Sequence, residues 1–118
     1  MHITLSGVHI DVTDALRAYT VEKMSVLDKF VKGDTSARLS IDLSKTTTHH
    51  SHGDIFQAEA KIHTKGKEVT LKTTQDDLYK SIDILKDMLF RELSSHKDKQ
   101  NSIFKRGAHK LKELMRRG

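Results

Sequence analysis

One flank of a predicted helix in the second half of the chain carries both lysine and aromatic side chains. The helix is predicted from apolar residues that recur every three or four positions: Leu78, Ile82, Leu85, Leu89 and Leu93. At about 100° per residue, a second group of side chains falls together beside this apolar stripe: Tyr79, Lys86, Phe90 and Lys97. Lys80 and Arg91 fall on the solvent side of the same helix.

This flank has the chemistry of an RNA-binding surface. Lysine ammonium groups bind phosphates, and aromatic rings stack on bases or pack against sugars. The alternative is structural, because Tyr79 and Phe90 could extend the edge of the core while the lysine stems lie along apolar surface. Lys97 and Lys99, near the end of the helix, also complement the helix dipole. Spacing alone leaves both interpretations open.

A first helix is predicted upstream, and it has a lysine in an unusual place. Its apolar stripe comprises Leu16, Tyr19, Thr20, Met24, Leu27, Phe30 and Val31. Thr13 is the predicted N-cap and the helix should close near Gly33. Lys23 falls in the middle of the stripe, whereas Arg17 and Lys29 lie off it. Lys23 must therefore extend to solvent, pair with an acid, or face a groove between helices, where it could join Lys86 or Lys97 in one positive surface.

Charge is distributed unevenly along the 118 residues. The chain has 21 basic and 16 acidic side chains, a net charge of +5. Residues 1–79 carry 10 basic and 11 acidic side chains, whereas residues 80–118 carry 11 basic and 5 acidic. Such asymmetry favours a polyanionic partner, usually nucleic acid. The alternative is a solvated basic tail without a specific partner.

Three histidines in a polar loop, His49, His50 and His52, have spacing that can chelate a metal. Apart from Asp54, no carboxylate or cysteine completes a typical site, so we predict a solvated loop and no metal. The chain has no cysteine, which excludes thiol nucleophiles and Cys-ligated zinc. It also lacks a phosphate-binding loop and a nucleophile motif. We therefore expect no catalytic residues, no cofactor, no small-molecule substrate and no enzymatic activity.

The elements that position these side chains follow from residue alternation. Segments in which apolar and polar residues alternate predict four strands, at residues 2–6, 37–44, 56–63 and 69–73. A tight turn at Lys65-Gly66-Lys67 joins the last two strands. Thr74 or Asp76 is the predicted cap of the second helix, which should run to about Lys99. The order β-α-β-β-β-α predicts an α+β fold, a four-stranded mixed sheet with two helices packed on one face.

The length predicts one domain over residues 1–99, followed by a basic tail at 100–118. The tail has helically spaced apolar residues, so it either folds on a phosphate-rich partner or forms a third helix. No apolar run is long enough to span a bilayer, and the first residues alternate instead of forming a signal peptide. We expect a cytoplasmic protein that does not act at a membrane.

Two segments resemble the ribosome hibernation promoting factors, also described as ribosome-associated translation inhibitors. One is Val12-Thr13-Asp14-Ala15-Leu16-Arg17 with the rest of the first helix, through Leu27-Asp28-Lys29-Phe30. The other is Asp77-Leu78-Tyr79-Lys80-Ser81-Ile82-Asp83, continuing through Arg91-Glu92-Leu93 to His96-Lys97-Asp98-Lys99. With the strands between them, the resemblance covers about residues 1–99.

The resemblance implies a domain that occupies the tRNA and mRNA channel of the small ribosomal subunit, contacts rRNA through its two helices, and silences ribosomes in stationary phase or stress. The RNA-binding residues that it implies are Arg17, Lys23, Lys29, Tyr79, Lys80, Lys86, Arg91, Lys97 and Lys99. Long members carry a second domain that pairs ribosomes, which this length does not hold, so we expect no direct ribosome dimerisation and a monomer when free. The rival hypothesis is a general RNA- or DNA-binding module without ribosome preference.

Overall fold

The computed structural model describes residues 1–46 and 53–95, which form a four-stranded mixed sheet covered on one face by two helices. The strands are β1 (His2–Val8), β2 (Arg38–Thr46), β3 (Ile55–Thr64) and β4 (Lys67–Gln75). Helix α1 (Asp14–Met24) continues as a 3₁₀ turn (Ser25–Phe30), and helix α2 is formed by residues 78–95. This arrangement confirms the predicted α+β fold.

The sheet has the strand order β1-β2-β3-β4. β1 pairs with β2 in parallel, which requires the crossover through α1, and the other two pairs are antiparallel. The β3–β4 hairpin turns at Lys65 and Gly66, whose φ angles are 52° and 74°. Two consecutive positive φ values are the mark of the tight turn whose twist suits a hairpin.

The core lies between the helices and one face of the sheet. Alternate residues of β2 and β3 point into it, including Leu39, Ile41 and Ile62. The predicted stripe of α2 faces them, and Ile82, Leu85 and Leu89 are fully buried. The other strand face carries the remaining polar residues, among them exposed Arg38, Ser40, Asp42 and Lys61. That face is open, as predicted.

The first helix is shorter than predicted. Its α-helical part ends at Met24, and Ser25 donates its hydroxyl to the carbonyl of Glu22 at 2.6 Å. Such a bond competes with the regular α-helical hydrogen bonds, and the chain tightens into 3₁₀ geometry. In a 3₁₀ helix, residues three positions apart lie on the same side. Met24, Leu27 and Phe30 have that spacing, so Met24 and Leu27 are buried and Phe30 packs against the core.

The second helix begins at a different cap from those predicted. Asp77, not Thr74 or Asp76, accepts a hydrogen bond from the backbone N–H of Lys80 at 2.9 Å. Asp77 is the cap because β4 extends to Gln75 and Asp77 directly precedes the first helical turn. The predicted continuation to Lys99 lies outside the described residues.

Asp34 fastens the connection between the 3₁₀ turn and β2 to the hairpin. Its carboxylate accepts hydrogen bonds from the backbone and side chain of Ser36, at 3.0 and 2.6 Å. It also accepts the hydroxyl of Thr64 at 2.8 Å and the backbone N–H of Lys65 at 2.7 Å. The Ser36 hydroxyl, together with the Lys65 and Thr64 donors, holds the pKa of Asp34 well below its ordinary value of 3.8.

Some predictions fall on residues that the structure does not describe. The histidine loop, with His49, His50 and His52, is among residues 47–52, and the basic tail lies within residues 96–118. In the described ranges, no helix combines the length and apolar character needed to cross a membrane.

Candidate nucleic-acid interface

The two helices meet along a seam, defined here by Tyr19, Lys23 and Lys29 on the first helical segment and Tyr79, Asp83, Lys86 and Phe90 on α2. Tyr19 and Lys23 are one turn apart on α1, and both reach Asp83. The phenolic hydroxyl of Tyr19 donates to Oδ1 of Asp83 at 2.6 Å. Nζ of Lys23 lies 3.7 Å from the same oxygen. One carboxylate of α2 therefore orients two side chains of α1.

This arrangement explains the position of Lys23 within the apolar stripe. Its side chain remains 41% exposed while pairing with Asp83, and its Nζ lies 5.4 Å from the centre of the Tyr19 ring. Lys23 thus both pairs and extends outward, in a position where it can contact a ligand.

Tyr19 also contacts the aromatic side chain at the start of α2. The rings of Tyr19 and Tyr79 meet edge to face, with centroids 4.9 Å apart and planes at 78°. The hydrogen bond to Asp83, aided by burial and by that negative charge, raises the pKa of Tyr19 to about 12. Tyr19 therefore remains a donor at neutral pH. Tyr79 is 42% exposed and available to a partner.

The other end of the seam holds Lys29 over two aromatic rings. Phe30 and Phe90 meet edge to face at 5.2 Å, with their planes at 80°. Nζ of Lys29 lies 4.7 Å from the centre of the Phe90 ring and 5.2 Å from that of Phe30. The rings attract the ammonium group through their negative faces and restrain it. Phe90 packs against the core as well, which is the structural interpretation of this aromatic residue.

Lys86 lies on the predicted flank and is restrained by its neighbour in sequence. Its Nζ donates to Oδ1 of Asp87 at 2.6 Å, and its side chain is 25% exposed. That hydrogen bond lowers the pKa of Asp87, and the charges of Lys86, Arg91 and Lys23 lower it further. Three of the predicted RNA-binding cations therefore lie within electrostatic range of one carboxylate.

Three further predicted residues are not among those that define the seam. Arg17, Lys80 and Arg91 are exposed, and Lys80 pairs with Asp76 one turn earlier at 3.6 Å. An exposed pair of this kind contributes little to stability and leaves the lysine available. Lys97 and Lys99 lie outside the described residues. Their proximity to Lys86 remains a prediction.

Sequence reasoning missed the carboxylates of the interface. Asp83 and Asp87 appeared only as members of a motif or a charge count, yet each holds a cation of the seam. The helical wheel contained a signal, since Asp83 falls about 140° from Leu78 and thus next to the flank of Tyr79 and Lys86. In both helical segments, residues 14–30 and 78–95, three basic side chains are matched by three acidic ones.

This balance narrows the basic surplus to a shorter part of the chain. Because residues 80–95 are neutral overall, the entire excess of the last third belongs to residues 96–118, which have eight basic and two acidic side chains. The helical layer is therefore not a uniformly basic surface. It is a set of individually positioned cations with adjacent carboxylates.

No group of three or more potential metal-ligating side chains occurs in residues 1–46 and 53–95. The groups of the seam that a ligand could contact are cations, hydroxyls and aromatic rings. These groups suit phosphates and unstacked bases or sugars.

The sequence matches a known family over most of its length. A family model described as Sigma 54 modulation protein / S30EA ribosomal protein matches residues 3–101. A ribosome hibernation promoting factor from Azotobacter vinelandii is 37% identical over 100 residues, covering 85% of this chain and 86% of the relative. The factor of that name from Escherichia coli K12 is 29% identical over 99 residues, covering 84% and 96%.

Solved structures share the fold. The N-terminal domain of Protein Y from Thermus thermophilus superposes with a TM-score of 0.66 at 27% identity, covering 81% of this chain and 99% of that one. A ribosomal subunit interface protein from Coxiella burnetii has a TM-score of 0.66 at 22% identity, covering 83% and 99%, and at that identity it speaks to the fold alone.

Proposed function

The chain belongs to the Sigma 54 modulation protein / S30EA ribosomal protein family, and from this membership we propose that it binds ribosomes and promotes their hibernation. The resemblance found in the two helical segments is confirmed by this membership. The proposed action is translation inhibition without catalysis. The protein would act by occupying space on the small subunit that tRNA and mRNA otherwise use.

The proposed contacts are between the seam and rRNA phosphates. The observation that carries this proposal is that three lysines of the two helical segments, Lys23, Lys29 and Lys86, are each restrained by a carboxylate or an aromatic ring. Restrained cations lose less side-chain freedom on binding than free ones, which favours recognition of a fixed phosphate arrangement. Specificity would come from fit to a structured RNA cavity.

Charge balance favours this proposal over a general nucleic-acid-binding module. Non-specific binding draws its free energy from net positive charge along the contact surface. The helical segments have none, because their three basic and three acidic side chains cancel. We expect the helices to supply specificity and the basic residues in 96–118 to supply the non-specific attraction.

Co-sedimentation with ribosomes tests the proposal directly. We expect the wild-type protein to sediment with small subunits at low salt, to dissociate as salt is raised, and to compete with tRNA. Failure of the wild type to sediment at low salt overturns the proposal. Equal affinity for arbitrary duplexes, without competition by tRNA, would establish the general module instead.

A pair of charge reversals locates the site. Lys23→Glu with Lys86→Glu should reduce ribosome affinity by at least about tenfold, because two phosphate contacts become repulsions. The matched control is Lys61→Glu with Lys67→Glu, which changes the net charge equally at exposed positions of β3 and β4. Equal loss of affinity in both double variants would show that only net charge matters.

A further inference from the structure

Asp83 links the two helices through a single oxygen atom. Its Oδ1 accepts the hydroxyl of Tyr19 at 2.6 Å and faces Nζ of Lys23 at 3.7 Å. The Asp83 side chain is 44% exposed and that of Lys23 is 41% exposed. The group is therefore ordered by contacts within the protein and still open to a ligand.

The negative charge of the Asp83 carboxylate repels any polyanion that approaches. A phosphate that binds Lys23 must compete with Asp83 for the same ammonium group, and it is repelled by that negative charge. A ligand with poorly placed phosphates gains too little from Lys23 to offset the repulsion. A ligand whose phosphate meets Lys23 from the exposed side keeps the orientation that Asp83 imposes.

Resting on the proposed function, we propose that Asp83 is a positioning and specificity-determining residue, which orients Lys23 and Tyr19 for a structured RNA site and disfavours arbitrary RNA. Asp87 repeats the pattern, because it holds Lys86 at 2.6 Å on the same helix. The seam thus pairs each of two lysines with its own carboxylate. The ligand class is an RNA backbone with fixed phosphate positions.

Replacement of the carboxylate separates the two effects. Asp83→Asn removes a negative charge while keeping a similar shape, so simple electrostatics predicts tighter binding to every RNA. We expect this increase, roughly twofold, for an arbitrary RNA duplex. For ribosomes we expect a decrease of about tenfold, because the charged partner that orients Lys23 and Tyr19 is lost.

The matched control is Glu92→Gln, the same change of charge on α2. Glu92 is exposed and lies about 180° around the helix from Asp83. It should shift the affinities for ribosomes and duplex in the same direction and by the same factor. If Asp83→Asn behaves like this control toward both ligands, the inference is overturned. If the wild type itself fails to bind ribosomes, the proposed function is overturned and the inference falls with it.

Tyr19→Phe provides a second variant in case Asp83→Asn fails to fold. It keeps the ring, its contact with Tyr79 and the net charge, and removes only the hydroxyl that Asp83 accepts. We expect ribosome affinity to fall several-fold, in the range of one hydrogen bond to a charged group, with duplex affinity unchanged. Unchanged affinity for both ligands, in a variant with the wild-type circular dichroism spectrum, contradicts the positioning role.

Discussion

Tyr19 of α1 donates its hydroxyl to Oδ1 of Asp83 in α2 over 2.6 Å, across 64 positions of sequence. The bond links the two helices directly, beside the edge-to-face contact of the Tyr19 and Tyr79 rings. Lys23, one turn after Tyr19, uses the same oxygen. One carboxylate therefore both links the two helices and positions a lysine that we propose binds RNA.

The first prediction concerns the ionisation of Tyr19. The chain has two tyrosines, so in Tyr79→Phe the absorbance of tyrosinate reports Tyr19 alone. We expect a pKa of about 12, which Asp83→Asn should return toward the ordinary value of 10.0. Because the folded pKa exceeds the unfolded one, the stabilisation is complete below about pH 10 and disappears as pH rises through about 12.

Circular dichroism at each pH controls for unfolding during this titration. If Tyr19 of the folded protein ionises near the ordinary value in the presence of Asp83, the hydrogen bond does not persist in solution. The same result would remove the support for a shared carboxylate at the seam.

The second prediction concerns acid stability and Asp34. Four donors lower the pKa of this carboxyl, so its stabilising contribution is present above the unfolded value of 3.8 and is lost as pH falls through the folded pKa. Thermal midpoints from about pH 5 to about pH 2 should fall more steeply for the wild type than for Asp34→Asn. Asp11→Asn, at an exposed position, is the control and should follow the wild type.

Parallel curves for the wild type and Asp34→Asn across this acid range would contradict the assignment. They would mean that the connection between the 3₁₀ turn and β2 is held to the hairpin by other contacts.

Alternation and helical spacing were sufficient for the architecture because each strand has one buried face. Leu39, Ile41 and Leu43 alternate with polar residues, and this alternation predicts β2. The apolar stripe of α2 is equally regular. The 3₁₀ turn was not predicted, since Met24, Leu27 and Phe30 suit both a helix and a 3₁₀ turn.

The sequence singled out the lysines of the seam but not the side chains that contact them. A wheel places Lys23 and Tyr79 on their own helices, but it contains no information on how one helix is rotated against another. The pairing of Lys23 with Asp83 depends on that rotation, which the whole core sets. Local acids such as Asp87 beside Lys86 were accessible to sequence reasoning, because neighbouring charges on one helix require no tertiary model.

The third prediction concerns the hairpin turn. Lys65 has a φ of 52°, a left-handed conformation that costs a lysine about 1 kcal/mol and that asparagine adopts more readily. Lys65→Asn should therefore raise the free energy of unfolding by up to about 1 kcal/mol, measured by chemical denaturation. Lys67→Asn, on the strand side of the turn, is the control and should not stabilise the protein. A destabilised Lys65→Asn variant would contradict the left-handed conformation.

The last prediction concerns the ring beneath Lys29. Phe90→Leu retains an apolar side chain but removes the aromatic face that lies 4.7 Å from Nζ of Lys29. We expect ribosome affinity to fall roughly two- to fivefold, the range of one exposed cation–π contact. Leu89→Met is the control, since it alters a fully buried neighbour on α2 while conserving volume. It should leave ribosome affinity unchanged and lower stability by less than about 1.5 kcal/mol.

The comparison of the two variants separates packing from positioning. Both changes perturb α2. If ribosome affinity depended on stability alone, each variant would lose affinity in proportion to the decrease in its free energy of unfolding. A loss confined to Phe90→Leu would place Lys29, held by its ring, among the groups that contact RNA. Unchanged affinity in Phe90→Leu would instead mean that Lys29 binds equally well unrestrained or makes no contact, and the seam would then end at Lys86.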